Sequence, residues 1–180
     1  MALIVLLRGI NVGGHRALRP TLLARELAAY DVINVGATGT FVVRKPGPRA
    51  QLRTALRSIL PATTQFVFCE GHDLLRLEAK DPFNKRPADP NIVRFVSFLA
   101  GKPRTPPAFP LTIPQGRNWF VRVTCLTNRL AAGEYRRHMK TIGYLGQLDT
   151  LFGTLVTTRS WNTVTAILQL LKEDSGTSEL

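Results

Sequence analysis

The sequence predicts an α+β protein: a ferredoxin-like βαββαβ unit at the N-terminus, followed by a second, smaller or diverged α+β unit. Three observations carry this. The chain of 180 residues is 44% hydrophobic and 20% charged, enough apolar material for a real core. It opens on an unbroken apolar run, Ala2 to Leu7. Over the first 70 residues or so, apolar patterns of period two and period 3.6 follow one another as strand, helix, strand, strand, helix, strand, the split βαβ pattern.

Each element has its own local reason. Ala2-Leu3-Ile4-Val5-Leu6-Leu7 is apolar on both sides, as a central strand covered on both faces must be. It is too short for a membrane span and is followed by Arg8-Gly9 where a signal peptide would need a cleavage site. A Gly-rich turn, Arg8 to Gly14, comes next. Pro20 opens a helix at a position where its missing N–H costs nothing, and Leu23, Leu27 and Tyr30 form its inner face. Val32-Ile33-Asn34-Val35 and Phe41-Val42-Val43 are short strands separated at Gly36 and Gly39. Leu52, Ala55, Leu56, Ile59 and Leu60 give a regular helical stripe that Pro61 ends. Thr64 to Phe68 is the fourth strand.

The later chain is less regular. His72 to Lys80 reads as a short helix and Ile92 to Leu99 as a strand. Five of the twelve prolines fall within 103–114 and predict a stiff extended connector. Trp119 to Val123 resumes a strand. Glu134 to Lys140 and Tyr144 to Phe152 read as helical turns parted by Gly143. The last helix runs from Trp161 to Lys172, with Val164, Ile167, Leu168 and Leu171 buried. The expected organisation is therefore 1–80 for the first unit, 81–173 for the second with its connector at 103–114, and 174–180 as a flexible tail.

Charge suggests the kind of partner. Lys and Arg number 24 against 12 Asp and Glu, a formal charge of +12, and residues 1–69 hold most of the excess. A GC-rich genome would enrich Arg with no function attached. The alternative is attraction to anions, nucleic acid being the commonest large one. The two cysteines, Cys69 and Cys125, build no disulfide framework or zinc site and point to a reducing cytoplasm.

Three segments carry candidate chemistry. In the turn after the first strand, glycines let backbone N–H groups approach an anion. Arg8 adds a bidentate fork and Asn11 a side-chain donor, with Gly13 and Gly14 beside them. The competing reading is a tight turn requiring positive φ. Thr157-Thr158-Arg159-Ser160-Trp161-Asn162 precedes the last helix, where Thr158 or Ser160 can cap. Arg159 opposes the helix dipole there, which implies an acidic neighbour or an anionic ligand. Arg49, Arg53 and Arg57, with Arg44 and Lys45 before them, make a basic stripe that can track phosphates of a nucleic acid or simply face solvent. It lacks the interleaved aromatics of single-strand binders. His15, His72 and His138 are scattered, so the sequence nominates no metal site, no cofactor and no catalytic residue.

Leu6-Leu7-Arg8-Gly9-Ile10-Asn11-Val12-Gly13-Gly14 and Thr157-Thr158-Arg159-Ser160-Trp161-Asn162-Thr163-Val164 resemble the paired signatures of the family called domain of unknown function 1697. The resemblance covers nearly the whole chain. It implies a bacterial, cytoplasmic α+β protein with ferredoxin-like units, and it supplies no activity. Departures occur at Ala37-Thr38-Gly39-Thr40, where the family has a Ser-Gly-Asn-rich turn, at Asp81-Pro82-Phe83 for Asn-Pro-Phe, and at Ser160, where Asn is usual. Met139-Lys140-Thr141 matches the family's Ser-Lys-Leu segment only with shifted spacing.

The expected function is binding of a phosphate-bearing partner, nucleic acid or nucleotide. Arg8, Asn11, Gly13 and Gly14 would supply donors from one side and Thr157, Thr158, Arg159 and Asn162 from the other. The alternatives are an enzyme acting on a small phosphorylated or nucleotide substrate, and a structural module in which both motifs are only turn and cap.

Overall fold

A computed structural model describes residues 1–8, 20–84, 87 and 89–176. The protein is α+β, with two antiparallel sheets and several helices. It divides into two compact units, residues 1–72 with 166–180, and residues 73–165. No helix among the described residues is long and apolar enough to cross a membrane.

The first unit contains β1 (Leu3–Arg8), α1 (Pro20–Glu26) with a 3-10 turn at Ala28–Tyr30, β2 (Val32–Asn34), β3 (Thr40–Val43), α2 (Arg49–Ile59) and β4 (Gln65–Glu70). The strands lie in the order β2-β3-β1-β4, every neighbour antiparallel. Val5 stands opposite both Phe41 and Phe68. Leu3, Val5 and Leu7 share one face with Phe41, Val43, Phe66 and Phe68, and that face packs against Leu23 and Leu27 of the α1 segment and Leu52 and Leu56 of α2. Both helices therefore cover the same side. Ile4 and Leu6 point to the opposite side and are fully buried as well, which is why β1 tolerates no polar alternation. Gly36 and Gly39 take φ of 70° and 68° between β2 and β3, a backbone that side-chain-bearing residues resist.

The second unit contains most of α3 (Gly71–Ala79), then β5 (Ile92–Leu99), β6 (Leu111–Ile113), β7 (Val121–Thr127), β8 (Leu130–Arg136), α4 (Thr141–Gly146), α5 (Leu148–Phe152) and β9 (Val156–Ser160). Its sheet runs β6-β7-β8-β5-β9, again antiparallel. Phe95, Leu99, Val121, Val123 and Ala131 pack against Leu148 and Phe152.

Here the structure corrects three expectations. The proline-rich connector ends as an edge strand, with Ile113 in the core. Glu134 to Arg136 belong to β8, not to a helical turn. The reason is pairing: Glu134, Tyr135 and Arg136 stand opposite Arg94, Val93 and Ile92 of β5, and Gly133 permits the close fit, since a Cβ there would lie 2.4 Å from the Arg122 carbonyl oxygen and 2.7 Å from Phe95 Cζ. The Ala-Ala-Gly run that hides the strand is what lets β7 and Phe95 come so close. Third, Thr157-Thr158-Arg159 is strand, paired with Phe98, Ser97 and Val96, because tertiary pairing overrides the local cap signal.

The final helix, α6 (Trp161–Gly176), starts in the second unit and ends in the first. In the first unit a Cβ on Gly71 would meet Leu171 at 2.9 Å. Arg44 Nε lies 2.7 Å from Asp174 Oδ1 there.

Candidate functional site

Three neighbouring strands of the second sheet place a charged residue at matching register. Arg122 of β7 is opposite Glu134 of β8, and Glu134 is opposite Arg94 of β5. Directly opposed residues share a face, so alternation sends Phe95 and Val121 to the apolar core and these charges to the other side. Arg122 Nη2 donates to Glu134 Oε2 at 2.5 Å, and Arg94 Nε stands 4.0 Å from Oε1. The Glu134 side chain is only 6% exposed, against 21% for Arg94 and 28% for Arg122.

The charged row opens onto a cavity of about 310 Å³ whose lining includes Arg94, Arg122, Glu134, Arg137, Asp89 and the helix-start residues Ser160, Trp161 and Asn162. Among the described residues, three guanidiniums face two carboxylates, which gives this part of the lining one net positive charge. Arg137 is exposed, and its Nε donates to the Pro90 carbonyl at 3.0 Å. Arg94 lies 5.1 Å from the Phe83 centroid, and Phe83 meets Trp161 edge-on at 4.9 Å. Arg122 and Arg136 each lie 4.5 Å from the Trp119 centroid. These stacks hold the guanidinium planes while leaving their N–H edges directed elsewhere. Arg122 Nε is buried and has no hydrogen-bond partner among the described residues.

The residues anticipated from the sequence are distributed as follows. Asn162 lines the cavity and is exposed, beside Ser160 and Trp161 of the same motif. Ser160 occupies the cap position of α6, with Oγ 3.5 Å from the Thr163 backbone N and 3.2 Å from Thr163 Oγ1. Thr158 does not cap; its hydroxyl pairs with Ser97 Oγ at 2.7 Å. Thr157 and Arg159 are buried, and Arg159 Nη1 donates to Thr157 Oγ1 at 2.8 Å and to the Thr158 carbonyl at 2.9 Å. Burial pulls the Arg159 pKa down to about 10. Arg8 ends β1 opposite Gln65, half-buried, in the first unit. Asn11, Gly13 and Gly14 lie outside the described residues. Of the basic stripe, Arg44 pairs with Asp174, Lys45 is exposed, and Arg49, Arg53 and Arg57 lie over the rings of Phe66 and Phe68. The aromatics missing from the stripe's own sequence are supplied by β4.

Arg94, Arg122, Glu134 and Arg137 were not foreseen as site residues. The available signal was a single charge interrupting each of two apolar strands, in Val93-Arg94-Phe95 and Val121-Arg122-Val123. Strand register, which brings them to one carboxylate, is not encoded in either segment alone.

A family model described as a protein of unknown function, DUF1697, matches residues 1–123. No curated protein and no solved structure matches the chain.

Proposed function

The chain belongs to the DUF1697 family of proteins of unknown function, and on that footing we propose that it binds a small phosphate-bearing ligand in the second-unit cavity. The observation that carries this is the meeting of Arg94, Arg122 and Arg137 with the Ser160-Trp161-Asn162 start of a 16-residue helix around one hollow of about 310 Å³. Guanidiniums match phosphate oxygens in bidentate fashion, and a helix start adds oriented N–H groups and a positive dipole end. Glu134 is engaged as the ion-pair partner of two arginines; it restrains them and tempers the charge. The volume sits at the low end for ligand sites, which favours a mononucleotide-sized molecule over an extended polymer. The half-buried Trp161 ring and the Asn162 amide suit the flat, hydrogen-bonding base of such a ligand.

Two further readings go with this proposal. Strand order and the placement of α1 and α2 on a single face support a ferredoxin-like arrangement for the first unit. The two free cysteines support a cytoplasmic setting.

The test is calorimetric titration with inorganic phosphate and with nucleoside monophosphates. Binding should weaken at least tenfold in Arg137→Ala, whose exposed side chain makes the fold insensitive to its loss. Equal affinity in wild type and Arg137→Ala, or no heat with any of these anions, defeats the proposal.

A further inference from the structure

The exposed flank of α2 that borders β4 carries a row of arginines. Arg49, Arg53 and Arg57 recur every four residues on a helix that contains no acidic residue. Like charges at that spacing repel, and a cation in the first turn opposes the dipole, so local helix physics disfavours the stripe. The compensation lies beneath it. Arg49 is 5.8 Å from the Phe68 centroid, Arg53 5.0 Å from Phe68 and 5.5 Å from Phe66, and Arg57 4.6 Å from Phe66. Phe66 and Phe68 belong to β4, the edge strand of the first sheet. Their rings hold three guanidiniums in a row while all three arginines stay exposed.

The outer two are also tethered. Arg49 Nη2 donates to Glu70 Oε1, and Arg57 Nη1 donates to the Thr64 carbonyl at 2.8 Å. The central Arg53 has no hydrogen-bond or ion-pair partner among the described residues. It is a stacked, oriented, solvent-facing fork with its donors unspent. Successive arginines are about 6 Å apart along the axis, from the 1.5 Å rise per residue, a spacing that a flexible phosphodiester chain can follow. The apolar ring faces are already covered, so bases find no stacking platform here.

We propose that this face of α2 docks single-stranded nucleic acid through its backbone, without sequence preference. Arg53 is the principal phosphate contact and Arg49 and Arg57 flank it. A single strand can adapt its backbone to three forks held in a row, whereas the fixed backbone geometry of a duplex cannot adjust to them.

The experiment is fluorescence anisotropy with a labelled poly-uridine oligonucleotide across a salt series, on wild type, Arg53→Gln and Arg53→Lys, with thermal melting as a folding control. Affinity should fall about threefold to tenfold in Arg53→Gln, and the log–log salt slope should drop by about 0.7, the value expected for one lost phosphate contact on a single strand. Arg53→Lys should keep the slope. Phosphate binding in the cavity should be the same in Arg53→Gln as in wild type, which separates failure here from failure there. An unchanged slope in Arg53→Gln, equal or tighter binding of duplex DNA, equally strong competition by polyglutamate, or no oligonucleotide binding at low salt each overturns the proposal.

Discussion

Arg122 and Glu134 face each other across β7 and β8, with guanidinium Nη2 and carboxylate Oε2 2.5 Å apart. The carboxylate is almost wholly buried and serves a second arginine, Arg94, from β5. One acid thus joins three strands and offsets part of the positive charge lining the cavity.

Removing that acid should have opposite effects on stability and affinity. Glu134→Gln removes the close counter-charge of Arg122 and the neighbouring negative charge beside Arg94, and should cost about 1–3 kcal/mol in urea denaturation. The cavity gains one net positive charge, so phosphate should bind more tightly in titration calorimetry. Weaker phosphate binding by a folded Glu134→Gln protein would contradict the electrostatic account.

Gly133→Ala tests the close approach of β7 and β8. The added methyl would meet a backbone oxygen at 2.4 Å and the Phe95 ring at 2.7 Å, and neither can move without disturbing the sheet or the core. Overpacking of this kind costs about 1–3 kcal/mol or more, visible as a lower denaturation midpoint. A neutral outcome would mean that the strands can part at little cost.

Arg159 gives a pH signature of definite sign. Burial disfavours the charge and lowers its pKa from the open-chain value to about 10 in the fold. As pH rises past 10 the unfolded chain holds more protons than the native one, so this residue's contribution to stability rises with pH until the open-chain guanidinium itself titrates. Below pH 10 the desolvation cost is present in full. Compared with Arg159→Met, the wild type should gain melting temperature as pH passes 10, read as a shrinking or reversing difference between the two melting curves.

Leu52→Ala should remove a fully buried contact between α2 and the first sheet. The expected loss is about 2–5 kcal/mol. Arg53→Gln, on the same helix but its outer face, should lower stability far less. Comparing their chemical denaturation midpoints separates the helix's packing side from its exposed one.

Much of the first unit was legible because its signals are local. Apolar runs, the 3.6-residue stripe of α2 and glycine breaks each report on their own neighbourhood, and Leu23, Leu27, Leu52 and Leu56 occupy the core that their spacing implies. The second unit was harder for an equally physical reason. Ala131-Ala132-Gly133 has weak strand propensity and becomes strand through pairing with β5 on one side and β7 on the other, at a place where Gly133 has no room for a side chain. The Thr-Thr-Arg motif likewise looks like a helix start until its pairing with β5 is known.

From residue order alone came the α+β class, the strands and helices of the first unit, the excess of positive charge and the helix start that holds Asn162. Three-dimensional pairing was needed to bring Arg94, Arg122 and Glu134 together, to bury Arg159 and to slide Phe66 and Phe68 beneath the arginines of α2. The difference is one of range. Periodicity is written in neighbouring residues, whereas register and stacking depend on segments many residues apart whose meeting is settled by packing the whole sheet.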